Sequence, residues 1–291
     1  MGNSFKTFLK HTAKDFHNQS VNPPVVRAST IIFKSLQDIK KTQNKYLKDP
    51  VSGNFDYGRQ GTSTTYALQQ ILRKMEECYK VYLTPTGFGA IFLGVLSVVN
   101  PDDEILITDS VYSPSRLLTE TYLKKFNIRA IFYNPNDLND LKNKITKKTK
   151  AIVLINVLGN SSNLFEIKKI ARQKKLIIIE DNCESLGSKL KGKYLGTFGD
   201  FSTFSFYYSH QITSGEGGMI TCKNDKDYEI LFSLRSHGWF GGARFYSRKT
   251  KSYNKYAKKY SNLDSEKLLI HNRCNIFLQC FELMHKLLQL K

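Results

Sequence analysis

Ala151-Ile152-Val153-Leu154-Ile155-Asn156-Val157 and Leu176-Ile177-Ile178-Ile179-Glu180 decide the fold. Each is an apolar run whose successive residues all avoid water, and a helical pattern separates the two. A strand that is apolar on both faces belongs to a sheet covered on both sides, which is the setting of parallel strands joined by helices. Working outward, the same rhythm recurs at Val81 to Thr84, Glu104 to Thr108 and Arg129 to Tyr133. Phe201 to Phe206 and Gly218 to Cys222 add two more strand candidates, and a helix is expected from about Asp225 to Ser236. The expected fold class is therefore α/β, a mostly parallel sheet with helices on both faces.

The chain has 291 residues, 41% of them hydrophobic, enough to bury one large core. Its formal charge is +19, from 44 Lys and Arg against 25 Asp and Glu. The excess is dispersed lysine without an RNA- or DNA-binding motif, so a solvated surface is the reading and no nucleic-acid partner is expected. Cys78, Cys183, Cys222, Cys274 and Cys280 are scattered and lack CxxC spacing. That pattern argues against a disulfide framework or a zinc site. No apolar run approaches a bilayer span, and Met1 to Lys14 lacks the apolar stretch of a signal peptide, so a cytoplasmic protein without membrane contact is expected.

Three regions are expected. Residues 1–65, with Asn22-Pro23-Pro24 and the glycines Gly53, Gly58 and Gly61, read as a loop-rich arm of the kind that crosses to a partner subunit. Residues 66–240 carry the strand and helix rhythm. Residues 241–291 hold eleven Lys or Arg against three acidic residues and read as a divergent basic tail, from truncation, a frameshift or a partner-buried helix.

Several motifs occur in order in the first half: Asn22-Pro23-Pro24-Val25, Arg27-Ala28-Ser29-Thr30, Tyr57-Gly58-Arg59-Gln60-Gly61-Thr62, Thr64-Thr65 and Asp109-Ser110-Val111-Tyr112. Thr86-Gly87-Phe88-Gly89 is a small-residue turn between a strand and a helix, where backbone N–H groups can cradle a phosphate. Taken together, residues 15 to 155 resemble the cystathionine beta-lyases of the Cys/Met-metabolism B6 family. The resemblance implies that Gly87 and Phe88 contact the phosphate of pyridoxal phosphate and that Tyr112 stacks on its ring. It also implies a homodimer with a shared active site, in which Tyr57 and Arg59 reach the phosphate from the neighbouring subunit. Read alone, Gly87 is equally an ordinary turn and Tyr112 a core aromatic.

From about Ile155 the resemblance changes. Gly159-Asn160, Glu180-Asp181-Asn182-Cys183-Glu184-Ser185-Leu186-Gly187, Gly196-Thr197-Phe198-Gly199-Asp200 and Gly215-Glu216-Gly217-Gly218 resemble the DegT/DnrJ/EryC1/StrS sugar aminotransferases, and among them the nucleotide-sugar 3-dehydratases. The switch between the two resemblances falls near residues 150–158, between equivalent strands. Together they imply a seven-stranded cofactor-binding domain whose smaller C-terminal partner domain is largely absent.

Asp181 ends an apolar strand, so its carboxylate would stand at the sheet's ligand edge and hold the pyridine nitrogen protonated. A helix N-cap is the plainer reading of such a residue. The resemblance places Glu184 at the cofactor and makes Ser205 a phosphate-binding hydroxyl, whose plainer reading is a local backbone hydrogen bond.

In Ser205-Phe206-Tyr207-Tyr208-Ser209-His210-Gln211, His210 stands where the aminotransferases carry their cofactor lysine. An imidazole has no primary amine with which to attach to an aldehyde. The resemblance thus implies pyridoxal or pyridoxamine phosphate held noncovalently, with His210 as the base for loss of the C3 hydroxyl from a 4-keto-6-deoxy sugar nucleotide. The plainer reading makes His210 a loop histidine and puts the lysine elsewhere; Lys189, Lys191 and Lys193 precede the motif but occupy no family position. Two further readings stay open: a carbon–sulfur lyase acting on a sulfur amino acid, and a noncatalytic B6-fold protein.

Overall fold

The computed structural model describes residues 23–48, 55 and 57–235, and the basic tail lies outside the described residues. The strands are β1 (Lys80–Thr84), β2 (Glu104–Thr108), β3 (Arg129–Tyr133), β4 (Thr149–Ile155), β5 (Ile177–Asp181), β6 (Lys189–Leu190), β7 (Lys193–Tyr194), β8 (Phe201–Ser205) and β9 (Gly218–Cys222). Seven of them form one sheet in the order β1-β9-β8-β5-β4-β2-β3, while β6 and β7 make a separate hairpin. Within the large sheet β9 alone is antiparallel to its neighbours, β1 and β8. The other pairings are parallel, as expected for an α/β sheet.

The helices are α1 (Leu36–Lys48), α2 (Ser63–Met75), α3 (Gly87–Leu96), α4 (Ser113–Leu118), α5 (Leu138–Asn143), α6 (Leu164–Lys174) and α7 (Asp225–Leu234). Alternating side chains of each central strand enter opposite layers. Ile105, Ile107, Ala151, Val153 and Ile179 pack with Ala90, Leu93 and Leu96 of α3 and Leu231 of α7. Leu106, Ile152, Leu154 and Ile178 pack with Leu164, Ile167 and Ile170 of α6. This two-sided burial is the physical reason the strands read as unbroken apolar runs.

Several element ends lie one or two residues from the sequence reading, and one of these shifts bears on the site. β4 ends at Ile155 rather than Val157, which enters the short 3-10 turn Val157–Gly159. The Asn156 side-chain amide donates to Glu180 Oε2 at 3.2 Å and to Asn182 Oδ1 at 2.7 Å, and the chain turns out of the sheet there. Among the described residues of the arm, α1 is a helix that the sequence reading did not contain. Ser35 Oγ accepts from the Asp38 N–H at 3.2 Å and donates to its carboxylate at 2.8 Å, a capping arrangement that opens this helix. Phe55 of the same arm packs against the core.

The arm motifs interlock. Thr64 Oγ1 donates to the Pro24 carbonyl and accepts from the Val26 N–H, both at 2.8 Å. Gly58 N–H donates to Ser29 O at 2.7 Å, and a Cβ at Gly58 would lie 1.7 Å from the Ala28 carbonyl oxygen. Motifs far apart in sequence therefore form one packed unit. Among the described residues no helix is long and apolar enough to cross a membrane.

The antiparallel β9 is seated by the absence of side chains. A Cβ at Gly218 would lie 2.6 Å from the Thr86 carbonyl oxygen and 2.8 Å from the Gly87 nitrogen. Gly218→Ala is expected to destabilise the chain by about 1–3 kcal/mol, as overpacking against immovable backbone does. A urea-unfolding midpoint equal to that of the parent would show that this contact does not constrain the sheet.

Candidate active site

The parallel strands deliver their carboxyl ends to one edge, and the antiparallel β9 begins there. In open α/β sheets this edge is where ligands bind. At the end of β1, Thr86 caps α3, its hydroxyl accepting from the Gly89 N–H at 2.8 Å. That leaves the N–H groups of Gly87 and Phe88, at the first two helical positions, without an intrahelical acceptor. Ser205, the last residue of β8, meets this corner: a Cβ on Gly87 would lie 2.4 Å from Ser205 Cβ and 2.6 Å from its hydroxyl oxygen. Only glycine admits so close an approach. Ser205 Oγ accepts from the Tyr207 N–H at 3.2 Å, the local bond that the plainer reading expects. Its hydroxyl proton is still available to an anion.

Asp181 ends β5 and is buried. It does not cap a helix: its Oδ1 accepts from the Cys183 N–H at 3.1 Å, and Thr203 Oγ1 lies 3.5 Å away. Burial raises its pKa, and among the described residues no cation forms an ion pair with it. The adjacent Glu180 points to the opposite layer. It accepts from the Gly196 N–H at 2.9 Å, from Gly199 N–H and from Asn156. Burial likewise raises its pKa, by desolvation that these donors oppose. Glu180 therefore holds the Gly196–Asp200 turn, a role not read from the sequence. Its signal lay in the glycines of that motif, whose bare N–H groups face it. Asp200 ties the same turn back, its carboxylate accepting from the Ile178 N–H at 2.9 Å.

His210 lies five residues beyond Ser205, half-buried, with its backbone N–H donating to Tyr207 O at 3.0 Å. The Tyr207 ring is edge-on to the imidazole, centroids 6.3 Å apart, and is tilted against Tyr208 at 4.3 Å. Tyr208, Glu216 and Tyr112 all raise the Tyr207 pKa, which places the exposed Tyr112 from the first half near the His210 segment. Gln211 Nε2 donates to the Glu184 carbonyl at 2.8 Å, joining the His210 loop to the one that follows Asp181. Glu184 Oε2 accepts from the N–H of Leu158, an exposed residue in the left-handed region at φ 50°.

Gly87, Phe88, Asp181, Glu184, Ser205 and His210 thus lie on elements that meet at one edge. Tyr57 lies in the arm, where it forms an isolated bridge with Thr30 and its hydroxyl accepts from Ser29 at 3.4 Å. Arg59 belongs to the 3-10 turn Gly58–Gln60. Lys189, Lys191 and Lys193 sit on or between β6 and β7. The thiols described are free, and burial pushes Cys78 up to about 12 and Cys183 well above its ordinary value.

An anion-accepting corner and a buried carboxylate without a cation, on one sheet edge, fit a phosphorylated pyridine whose ring nitrogen carries a proton. The sheet order and this edge define the chain as an α/β protein of the aminotransferase-like class. The chain belongs to the DegT/DnrJ/EryC1/StrS aminotransferase family, which matches residues 91–261. It is 40% identical over 139 residues to a GDP-4-keto-6-deoxy-D-mannose 3-dehydratase of Yersinia pseudotuberculosis, covering 45% of this chain and 35% of that protein. It is 32% identical over 183 residues to a cystathionine beta-lyase of Haemophilus influenzae, covering 61% of this chain and 45% of that protein. The chain thus matches about a third to a half of the length of these relatives. The solved structure of an E coli GDP-4-keto-6-deoxy-D-mannose-3-dehydratase with bound hydrated PLP superposes with a TM-score of 0.53 at 28% identity, over 74% of this chain and 56% of that one. Both resemblances read from the motifs therefore stand, and the family match begins at residue 91, ahead of residues 150–158, where the motifs were read as changing from one resemblance to the other.

Proposed function

We propose that this chain binds pyridoxal or pyridoxamine phosphate noncovalently and eliminates the C3 hydroxyl of a 4-keto-6-deoxy sugar nucleotide. One observation carries the reading: in the loop that leaves the end of β8, five residues beyond Ser205 and the Gly87 corner, the chain has a histidine and not a lysine. When bound, the cofactor supplies an electron sink.

The chain's own groups do the rest. The N–H groups of Gly87 and Phe88 and the hydroxyl of Ser205 grip the phosphate. Asp181 accepts the ring N–H, and that partner offsets the cost of its buried charge. Tyr112 covers a ring face, and Glu184 orders the loop at its side. His210 would accept, on a ring nitrogen, the proton released from the methylene of bound pyridoxamine phosphate and pass it to the departing C3 hydroxyl oxygen, which leaves as water, the amine form of the cofactor supplying the two electrons that a 3-deoxy product requires. Tyr57 and Arg59 serve the phosphate of a second copy in a homodimer with a shared site. On this reading residues 66–240 form the cofactor-holding unit of a cytoplasmic enzyme, and residues 241–291 stand where the family's smaller domain would complete the substrate site.

Ser205→Ala is expected to weaken pyridoxal phosphate binding by roughly ten- to a hundredfold, the worth of one hydrogen bond to a charged group. Titration of cofactor absorbance measures it, and unchanged affinity removes Ser205 from the phosphate site. The function itself is tested by incubating purified chain with pyridoxamine phosphate and a 4-keto-6-deoxy sugar nucleotide. A 3-deoxy product is expected, with no cofactor fixed to protein by borohydride.

The match to a cystathionine beta-lyase over 61% of the chain favours a second reading, carbon–sulfur elimination from a sulfur amino acid. Release of ammonia and pyruvate from cystathionine, with no 3-deoxy product, would establish it in place of the first. A chain that neither shifts the cofactor spectrum nor dimerises would be a noncatalytic member of the fold.

A further inference from the structure

The lysines of the β6–β7 hairpin take no part in the candidate active site, yet they are arranged with order. Lys189 lies over the Tyr194 ring at 4.0 Å, Lys191 over Phe165 at 4.8 Å and Lys193 over Phe198 at 5.2 Å. Lys168 of α6 approaches the same Phe198 ring at 5.8 Å, and Lys223, just beyond β9, donates to the Phe198 carbonyl at 2.9 Å. Lys168, Lys193 and Lys223 converge from three separate elements on Phe198.

Like charges held together cost energy unless an anion joins them. Among the described residues none of Lys168, Arg172, Lys193 and Lys223 forms an ion pair. The crowding is felt. The pKa of Lys168 is lowered by burial and by Lys223, Lys193 and Arg172. That of Lys223 is lowered by burial and by Lys193 and Arg172, against the opposing pull of Asp200 and Glu180. Those two carboxylates are engaged: Asp200 by the Ile178 N–H, Glu180 by the glycine N–H groups of its turn.

Beside the cluster is a cavity of about 210 Å³, whose lining includes Lys193, Lys223, Thr197, Asp200, Glu77 and Cys78. It lies where β1 and β8 begin and β9 ends, the edge opposite the candidate active site. We propose that this cavity, with Lys193 and Lys223 as its principal cations and Lys168 and Arg172 behind them, binds a small phosphate-bearing anion. Both lining ammonium groups supply donors: Lys223 has two N–H bonds left after the Phe198 carbonyl, and Lys193 has all three. Glu77 and Asp200 on the lining offset part of the positive field, and the cavity volume suits a single phosphate group rather than a large polyanion.

The test uses the full chain with inorganic phosphate as probe, at constant ionic strength set by chloride, with one equivalent of pyridoxal phosphate added to occupy the other edge. Calorimetric titration is expected to show saturable binding that the paired substitutions Lys193→Gln and Lys223→Gln weaken at least tenfold and Lys147→Gln leaves unchanged. A second measurement does not depend on the variant folding: acylation of surface amines, read by mass spectrometry, should be slowed by phosphate at Lys193 and Lys223 and not at Lys147. Absence of both saturable heat and protection overturns the proposal, as does unaltered binding by a folded double variant. Capture by phosphatidylserine vesicles without any effect of free phosphate would assign the patch to a lipid surface instead and equally overturn it.

Discussion

Exchange of His210 for asparagine is expected to lower turnover by roughly 10²–10⁴-fold while cofactor affinity stays within a factor of two or so of the parent. The two readouts separate because the groups are separate. The proposed phosphate corner is built from the start of α3 and the end of β8, and the buried carboxylate from the end of β5. His210 contributes its backbone N–H to the loop through Tyr207 O, a bond that asparagine keeps. The substitution therefore removes the titrating side chain and leaves the loop's hydrogen bonds in place. A fall in kcat with unchanged KM is the signature of a lost proton carrier. His210→Lys provides the converse: an amine at this position should let borohydride fix pyridoxal phosphate to the protein, which the parent should not. Full turnover by His210→Asn would end the role given to this residue.

Glu76→Gln is expected to change the pH dependence of stability by up to about 3 kcal/mol. Glu76 is 1% exposed at the end of α2. Its Oε1 accepts from the Gly187 N–H at 3.2 Å, while Oε2 is buried without a hydrogen-bond partner. Burial is the main cause that raises its pKa from 4.5 to about 7, against the Gly187 bond and the field of Lys189. Between those values the folded chain keeps a proton that the unfolded chain has released. The stabilising effect of the raised pKa is full below about pH 4.5 and is lost as pH rises through about 7. A gap of about 2.5 units corresponds to roughly 3 kcal/mol. Glutamine cannot ionise and its carbonyl can still receive Gly187, so the variant should be more stable than the parent at pH 8 and close to it at pH 5. Urea midpoints at both values measure the difference, and an equal offset at the two would remove ionisation of Glu76 as its cause. Gly187 closes the segment that begins at Asp181, so the same titration bears on the site's rigidity.

Much of the candidate site was legible in sequence because its parts are short and local. A strand followed by Thr86-Gly87-Phe88-Gly89 already specifies a capped helix start with two unused N–H groups. An apolar strand ending in Asp181 already puts a carboxylate at the ligand edge. Helix α1 escaped notice because its composition, LQDIKKTQNKYLK, is dominated by polar residues, although Ser35 and Asp38 carried its start signal. Glu180 escaped because neighbouring carboxylates look alike in sequence. Only the alternation of the strand turns Asp181 to one layer and Glu180 to the turn that it holds.

By itself the sequence determined the strands, their two-faced burial and the residues offered at the carboxyl edge, since apolar period and turn chemistry act over a few neighbours. It also set a histidine, not a lysine, five residues beyond Ser205, at the position that the family resemblance gives to a lysine. Tertiary structure alone decided that β9 inserts antiparallel between β1 and β8, bringing Gly218 against Thr86 and Gly87, and that Lys168, Lys193 and Lys223 from three elements meet at Phe198. Strand pairing and charge crowding depend on which distant segments pack together, and no single stretch of chain contains that information.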